Sequence, residues 1–435
     1  MSRHVLVQAC SCAPGGENCA PISTINLGKP VALEPIHRPL PSLAQILSDV
    51  SPVHVSNALI AFLFAASAPI AIVLNIGLKG GLTESDLSSW IFASFVFNGV
   101  LGIIASIAYR QPLVFFWTIP GSVLVGPALT HLNFPEIIGA FLGTGVLLMI
   151  LGLSGSVKKI TSYLPMPIVM AMVAGVFLQF GLDWIQSLFY APVIAGSMTA
   201  VFVLLSLNAK IAAKLPPMIG VLVVGILAVV LTGSFDPDAE IAFELASPNF
   251  YVPEFSLAAM VELVLPLAVT VLAAQNAQGI AILTNRGYAP PINTITGACG
   301  AWSIFGGLFG SVSTCLTGPV NAILSSSDDK NGQYTAAICI CLMAILFGVY
   351  APTFTKFLLA TPPAFIATLA GLALIRILQS AFVVSFSGKF TFGALISFLV
   401  TLAGEPIFNI GAPFWGLVFG FITSWLLEKD DFKAT

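Results

Sequence analysis

The chain has 435 residues, 57% of them hydrophobic and 8% charged, with a mean hydropathy of +0.99 and a formal net charge of -3. So little charge cannot cover the surface of a water-soluble protein of this length, and the near-neutral balance gives nucleic-acid binding no footing. Apolar runs of about 20 residues recur along almost the whole length, as bilayer-spanning helices require, and the short alternating segments of a transmembrane barrel are absent.

Residues 1–52 are Pro-rich and polar and hold no apolar run long enough to span. They lack the charged start, apolar core and small-residue cleavage site of a signal peptide. They read as a cytoplasmic, largely disordered tail with a short amphipathic helix near 42–50. Cys10, Cys12 and Cys19 cluster there without the ligand spacing of a metal site, and Cys299, Cys315, Cys339 and Cys341 read as packing residues in apolar segments.

Fourteen spans follow. The first seven lie near 53–76, 86–108, 112–131, 134–154, 162–181, 184–207 and 216–233, within a first unit of 53–233. An acidic, extracytoplasmic linker at 234–256 carries Asp236, Asp238, Glu240, Glu244 and Glu254. A second unit, 257–427, holds spans near 257–283, 292–309, 311–326, 333–350, 362–384, 389–404 and 410–427, and 428–435 form a second cytoplasmic tail.

With the amino terminus inside, Arg3, Lys29, Arg38, Arg110, Lys158, Lys159, Lys210, Lys214, Arg286, Lys330, Lys389, Lys429 and Lys433 face the cytoplasm, and only Lys79 and Lys356 face outward. This follows the positive-inside rule and puts both termini in the cytoplasm; the expected location is the inner (plasma) membrane.

The two units look alike. "PIVMAMVAG" (167–175) matches "PAFIATLAG" (363–371), "VGPALTHL" (125–132) matches "TGPVNAIL" (317–324), and "PGSV" (120–123) resembles "FGSV" (309–312). Because seven is odd, the second copy enters the membrane from the opposite side, which makes an inverted repeat of the kind found in secondary transporters. The predicted fold is an all-α membrane protein of fourteen segments. Its third and tenth spans are broken by Gly and Pro into half-helices that meet near the midplane.

Irregular backbone at that depth must be buried in protein or line a cavity, and free N–H groups at a half-helix start attract anions. Thr118, Pro120, Gly121 and Ser122 in one repeat, and Ser311, Ser313, Thr314 and Thr317 in the other, are therefore candidate substrate-binding residues. The stretches "VFFWT" and "GSVSTC" could be short strands pairing across the repeat, with Trp117 and its neighbours Phe115 and Phe116 offering aromatic surface. The plainer alternative is that Gly and Pro only kink these helices for packing. In the eighth span, Gln275, Asn276 and Gln278 are three amides in an apolar helix; they either line a wet cavity or bond neighbouring helices. Ser67 holds the matching place in the first span.

Ionisable groups inside the spans are few. Glu262 lies within two turns of the outer end of the eighth span, so an interfacial place is expected for it. Asp183 and His131 fall at outer ends, and Arg376, toward the inner end of the twelfth span, could snorkel. No acid stands deep enough to serve plainly as a proton carrier.

The stretch "LPLAVTVLAAQNAQGIAILTNRGYAPPIN" (265–293), with "WTIPGSVL", "LAGLAL" (369–374) and "GAPFWGLVFG" (411–420), resembles the benzoate/proton symporter family (BenE) over about residues 53–427. That family is similar in fold to the uracil-permease group, with a core domain and a gate domain and the substrate held between the third and tenth spans and against the eighth. The resemblance implies import of an aromatic monocarboxylate such as benzoate together with a proton. Gln275 and Asn276 would stand where nucleobase carriers of this fold place an acid and a polar neighbour. An amide carries no proton, so the coupling group would lie elsewhere. Arg376 stands where the resemblance leads one to expect a small residue.

No cofactor or metal is called for, and the expected partners are the small carboxylate, a proton and the lipid bilayer, with a homodimer allowed. Competing readings are a nucleobase or inorganic-anion carrier on the same fold, and an anion channel. A membrane enzyme would need a nucleophile–base pair or clustered ligands, whereas His4, His37, His54 and His131 are scattered.

Overall fold

The computed structural model describes residues 33–36, 39–157, 159, 165–207, 217–236, 242–327, 329–408 and 410–433, without the side chains of Ser67 and Ala68. The tail cysteines lie outside them. The helices are α1 (Leu43–Asp49), α2 (Pro52–Lys79), α3 (Glu84–Tyr109), α4 (Ile119–Ala128), α5 (Phe134–Ser154), α6 (Met166–Tyr190), α7 (Pro192–Ser206), α8 (Pro217–Leu231) and α9 (Leu257–Val269). After a π-helical turn at Thr270–Asn276 come α10 (Ala277–Asn285), α11 (Ile292–Gly307), α12 (Gly318–Leu324), α13 (Gln333–Val349), α14 (Ala351–Leu359), α15 (Pro363–Phe386), α16 (Thr391–Ala403), α17 (Ala412–Leu427) and α18 (Lys429–Lys433). Two short strands, β1 (Phe115–Trp117) and β2 (Thr314–Leu316), precede α4 and α12.

Local sequence sets many helix starts. Pro52, Pro120, Pro135, Pro167, Pro192, Pro217, Pro319, Pro352, Pro363 and Pro413 all fall in first turns, where a missing N–H costs nothing. Thr83 and Asp86 close a capping box on α3, and Ser256 caps α9. Among the described residues, six helices are long and apolar enough to cross a bilayer, or seven if α13 and α14, bent by 69°, count as one span. The shorter apolar helices are α4, α7, α8, α16 and α17. This is a mostly helical membrane protein.

Two boundaries differ from the sequence reading. The fifth apolar run continues to Tyr190 instead of ending near 181. Asp183 does not break it, because Lys79 pairs with its carboxylate at 2.5 Å and Gln179 donates to it at 2.9 Å. The break comes at Pro192, where the ring excludes helix continuation. The amino-terminal segment is also tied down before residue 52. Glu34 accepts from the N–H groups of Asn293 and Thr294, both at 2.9 Å, at the start of α11, and Tyr334 donates to Asp49 at 2.7 Å.

β1 and β2 pair antiparallel, with Phe115 opposite Leu316, Phe116 opposite Cys315 and Trp117 opposite Thr314. Thr118 N–H to Ser313 carbonyl (2.9 Å) and Thr317 N–H to Val114 carbonyl (3.1 Å) extend the pairing. Asn321 of α12 completes it, accepting from Val114 N–H and donating to the Val114 carbonyl, both at 3.0 Å. Each broken segment thus satisfies the backbone groups that the other exposes, which is what the interior of a membrane protein demands. Around this pair, α2 packs on α12, α13 and α15, α3 on α13, and α5 on α11. A further set joins α6 to α15 and α16, α7 to α8 and α15, and α16 to α17.

Candidate functional site

A cavity of about 450 Å³ opens beside the strand pair. Phe64, Ala65 and Pro69 of α2, Met166, Met170 and Val173 of α6, and Arg376, Ile377, Ser380 and Val384 of α15 form part of its wall. Phe116 and Trp117 of β1, Ile119 and Pro120, Gln275 and Gln278 with Ala273 and Ala274, and Thr317, Pro319 and Val320 form the rest. The lining is mostly apolar, with a few convergent polar groups, as small-molecule sites are built.

Those polar groups are free to meet a ligand. The amides of Gln275 and Gln278 have no hydrogen-bond partner among the described residues, and the indole N–H of Trp117 and the hydroxyl of Thr317 are buried without an oxygen or nitrogen partner. A buried donor left unpaired costs roughly 1–3 kcal/mol, so the Trp117 and Thr317 groups on this cavity wall point to something that pairs with them. Arg376 supplies the positive charge and, among the described residues, is held only by a 3.3 Å bond to Gln379 one turn along α15. The Trp117 ring is fixed edge-on against Phe95 with centroids 5.2 Å apart, and Phe116 packs on Phe95 at 5.4 Å.

The two half-helix starts are not equivalent. At α4, the Thr118 hydroxyl accepts from Gly121 N–H at 3.2 Å and Pro120 has no N–H. At α12, Thr317 makes no side-chain cap, and the N–H groups of Gly318 and Val320 meet no acceptor among the described residues. Gln278 lies over Gly318, where a side chain at 318 would overlap the Gln278 amide.

Of the residues singled out from sequence, Trp117, Pro120, Gln275, Gln278, Thr317 and Arg376 share this cavity, and the others except Ser313 and Ser67 have structural partners. Thr118 and Gly121 form the α4 cap, and Ser122 donates back to the Thr118 carbonyl at 3.1 Å. Asn276 accepts from Leu316 N–H at 2.8 Å, so it ties the π-helical turn to β2. Ser311 bonds Ser94 at 2.9 Å, Thr314 donates to Asn98 at 2.8 Å, and the Ser313 hydroxyl is buried off the cavity wall. The Ser67 side chain lies outside the described atoms.

The eighth span is not the regular helix its composition suggests. Pro266 cannot donate to the carbonyl one turn back, and the chain under-winds into a π turn that carries Gln275. Glu262, on the second turn of α9, is 3% exposed and bonded to His131 at 2.9 Å, where α9 packs on α5, α4 and α17. Asn321, Phe64, Met166 and Met170 were missed by sequence reasoning. Only Asn321, a lone amide in the apolar half-helix "GPVNAIL", carried a signal. Among the described residues no three His, Cys, Asp or Glu side chains cluster as metal ligands.

A family model described as benzoate membrane transport protein matches residues 48–426. The chain is 29% identical to inner membrane protein YdcO of Escherichia coli over 378 residues, covering 86% of this chain and 95% of that one. It is 28% identical to a benzoate membrane transport protein of Acinetobacter baylyi, covering 85% and 94%. In fold it resembles the transmembrane domain of the cyanobacterial bicarbonate transporter BicA, with TM-score 0.58, 14% identity, and 85% and 97% covered. It also resembles the murine anion transporter Slc26a9 in the inward-facing state, with TM-score 0.62, 15% identity, and 88% and 70% covered. The match of the family model over most of the chain places this protein in the benzoate membrane transport protein family, whose members are membrane transporters.

Proposed function

We propose that this protein imports an aromatic monocarboxylate such as benzoate, together with a proton, across the inner membrane by alternating access. The observation that carries the reading is a single arginine, Arg376, on the wall of a mostly apolar and aromatic cavity. The ring would bury against Phe64, Phe116 and Met170. The carboxylate would meet Arg376, with Gln275, Gln278, Thr317 and Trp117 supplying donors.

The architecture that goes with this is fourteen segments in two inverted repeats of seven, with both termini cytoplasmic. Support comes from contacts that recur in mirrored pairs. α2 on α12 answers α4 on α9, α3 on α13 answers α11 on α5, and α6 on α16 answers α15 on α7. β1 and β2 meet antiparallel, as two oppositely inserted copies would. The core would be the first to fourth and eighth to eleventh segments, and the gate α6–α8 with α15–α17.

A small inorganic anion is the second reading, favoured by the solved transporters of like fold. It leaves the aromatic wall without a task. A nucleobase is less well served, since Asn276 is committed to β2. The test is uptake of radiolabelled benzoate into proteoliposomes under an imposed pH gradient, with protein-free liposomes subtracted and uracil, bicarbonate and sulfate as competitors. Saturable accumulation that only aromatic carboxylates inhibit is expected. Uptake abolished by bicarbonate or sulfate would move the substrate class, and conductance without accumulation would make the protein a channel.

A further inference from the structure

One buried ionisable pair has no part in the substrate cavity. Glu262, on the second turn of α9, is 3% exposed, and its Oε2 lies 2.9 Å from Nε2 of His131, three residues beyond α4. The imidazole is 16% exposed and so forms the wetter edge of the pair. A buried carboxylate without a partner is strongly unfavourable, so the contact is a condition of Glu262 being there at all. The other carboxylate oxygen faces Gly411, the amino-terminal cap of α17, where a methyl group would overlap Oε1. The pair therefore joins the far end of a half-helix, the eighth segment and the start of the last one.

We propose that His131 and Glu262 are the proton-binding site through which transport is coupled to the proton; this rests on the symport reading above. With Glu262 ionised, Nε2 carries the hydrogen, because a carboxylate only accepts. Nδ1 then holds a lone pair facing the Thr130 hydroxyl oxygen at 3.3 Å. The Thr130 hydrogen is already given to the Pro127 carbonyl at 2.6 Å, so its oxygen can accept. One proton from water thus binds at Nδ1, the new N–H meets Thr130, and the pair changes from one net negative charge to neutral. No bond breaks other than that of the donated proton, and the same proton leaves from Nδ1.

The surroundings make that charge matter. α4, α17 and the π-helical turn contribute no titratable side chain, Glu262 is the only one on α9, Glu136 of α5 is engaged with the N–H of Asn133 at 2.8 Å, and α2 and α6, which also pack on α4, bring Lys79 and Asp183, paired with each other at 2.5 Å. Glu254, just before α9, is the remaining acid on the adjoining chain. While the pair is negative, the carboxylate attracts the positive end of the α17 dipole and holds α9 to α17. Once His131 is an imidazolium it draws that charge to itself, and α17 is released to move against the core. Protonation at the wetter edge would therefore permit the conformational step.

The test is Glu262→Gln and His131→Asn in full-length protein reconstituted in liposomes. Both variants should keep benzoate counterflow at equal pH yet lose pH-gradient-driven accumulation and benzoate-induced proton uptake. Gradient-driven accumulation retained by either variant overturns the assignment. Should both variants fail to fold, ¹⁵N-histidine spectra of the wild-type protein decide. The His131 signal must titrate and shift when benzoate is added, and a signal indifferent to benzoate overturns the proposal. Absence of gradient-driven benzoate uptake by the wild type refutes the symport reading itself, separately from the role of this pair.

Discussion

Arg376 shows what one side chain can decide. An arginine on the wall of a mostly apolar cavity offers a bound carboxylate a charged hydrogen-bond donor. Arg376→Gln keeps much of the volume and removes the charge. It should weaken benzoate binding by about tenfold, the low end for a hydrogen bond to a charged group, since the side chain is exposed. Binding measured by calorimetry on purified protein checks this, and unchanged affinity would remove Arg376 from the site. Ser122 is the contrasting case. Its hydroxyl returns to the Thr118 carbonyl, so Ser122→Ala should leave affinity within about twofold. Asn276→Ala should act on stability instead, by about 1–3 kcal/mol, because it strands the buried Leu316 N–H. A lower melting temperature in detergent is the expected outcome, and an unchanged one would mean that the amide is not holding β2.

At the scale of elements, α5 and α11 depend on closeness. Gly145 and Gly152 face Gly297 and Gly300 so tightly that a side chain on Gly152 would overlap the Gly297 backbone nitrogen, and one on Gly300 would overlap Met149. Membrane helices associate through such small-residue contacts, because lipid gives no hydrophobic push between them. Gly152→Ala should therefore destabilise the protein by about 1–3 kcal/mol. Gly196→Ala in α7, where nothing lies within 4 Å, should be neutral or stabilising by less than about 1 kcal/mol. Thermal stability assays on the pair separate packing from propensity, and equal effects would refute the close-contact argument. The broken segments were legible in sequence because Gly and Pro punctuate them. The π turn was not, since the local winding goes with the contact of Asn276 to β2, forty residues away.

Across the whole molecule, helices separated in sequence fix one another's ends. Glu428 accepts from Phe392 N–H (2.8 Å), Gly393 N–H (3.0 Å) and the Ser424 hydroxyl (2.7 Å), capping α16 from beyond α17. Burial pushes its carboxyl up, but these hydrogen bonds outweigh burial and hold it below the usual carboxylate range. A depressed folded value stabilises above the unfolded pKa, and the benefit is lost as pH falls through the folded value. Glu428→Gln should therefore cost about 1 kcal/mol at neutral pH, with the gap to wild type closing in acid. A pH series of melting curves checks this, and a gap that stays constant would refute the cap.

What the residue order determined by itself was everything that composition and punctuation encode: a polytopic helical membrane protein, helix starts marked by Pro, two interrupted segments, and amides in the eighth span. These are local properties, readable wherever hydropathy or a missing N–H acts on its own neighbourhood. Which of those polar groups line the cavity was decided only by tertiary structure. Gln275 and Asn276 are adjacent and chemically alike, yet one lines the cavity and the other binds a strand forty residues away. His131 and Glu262 were likewise assigned to separate outer ends until packing brought them together. A polar side chain in a membrane takes its role from the partner it finds, and that partner is chosen by contacts between segments distant in sequence.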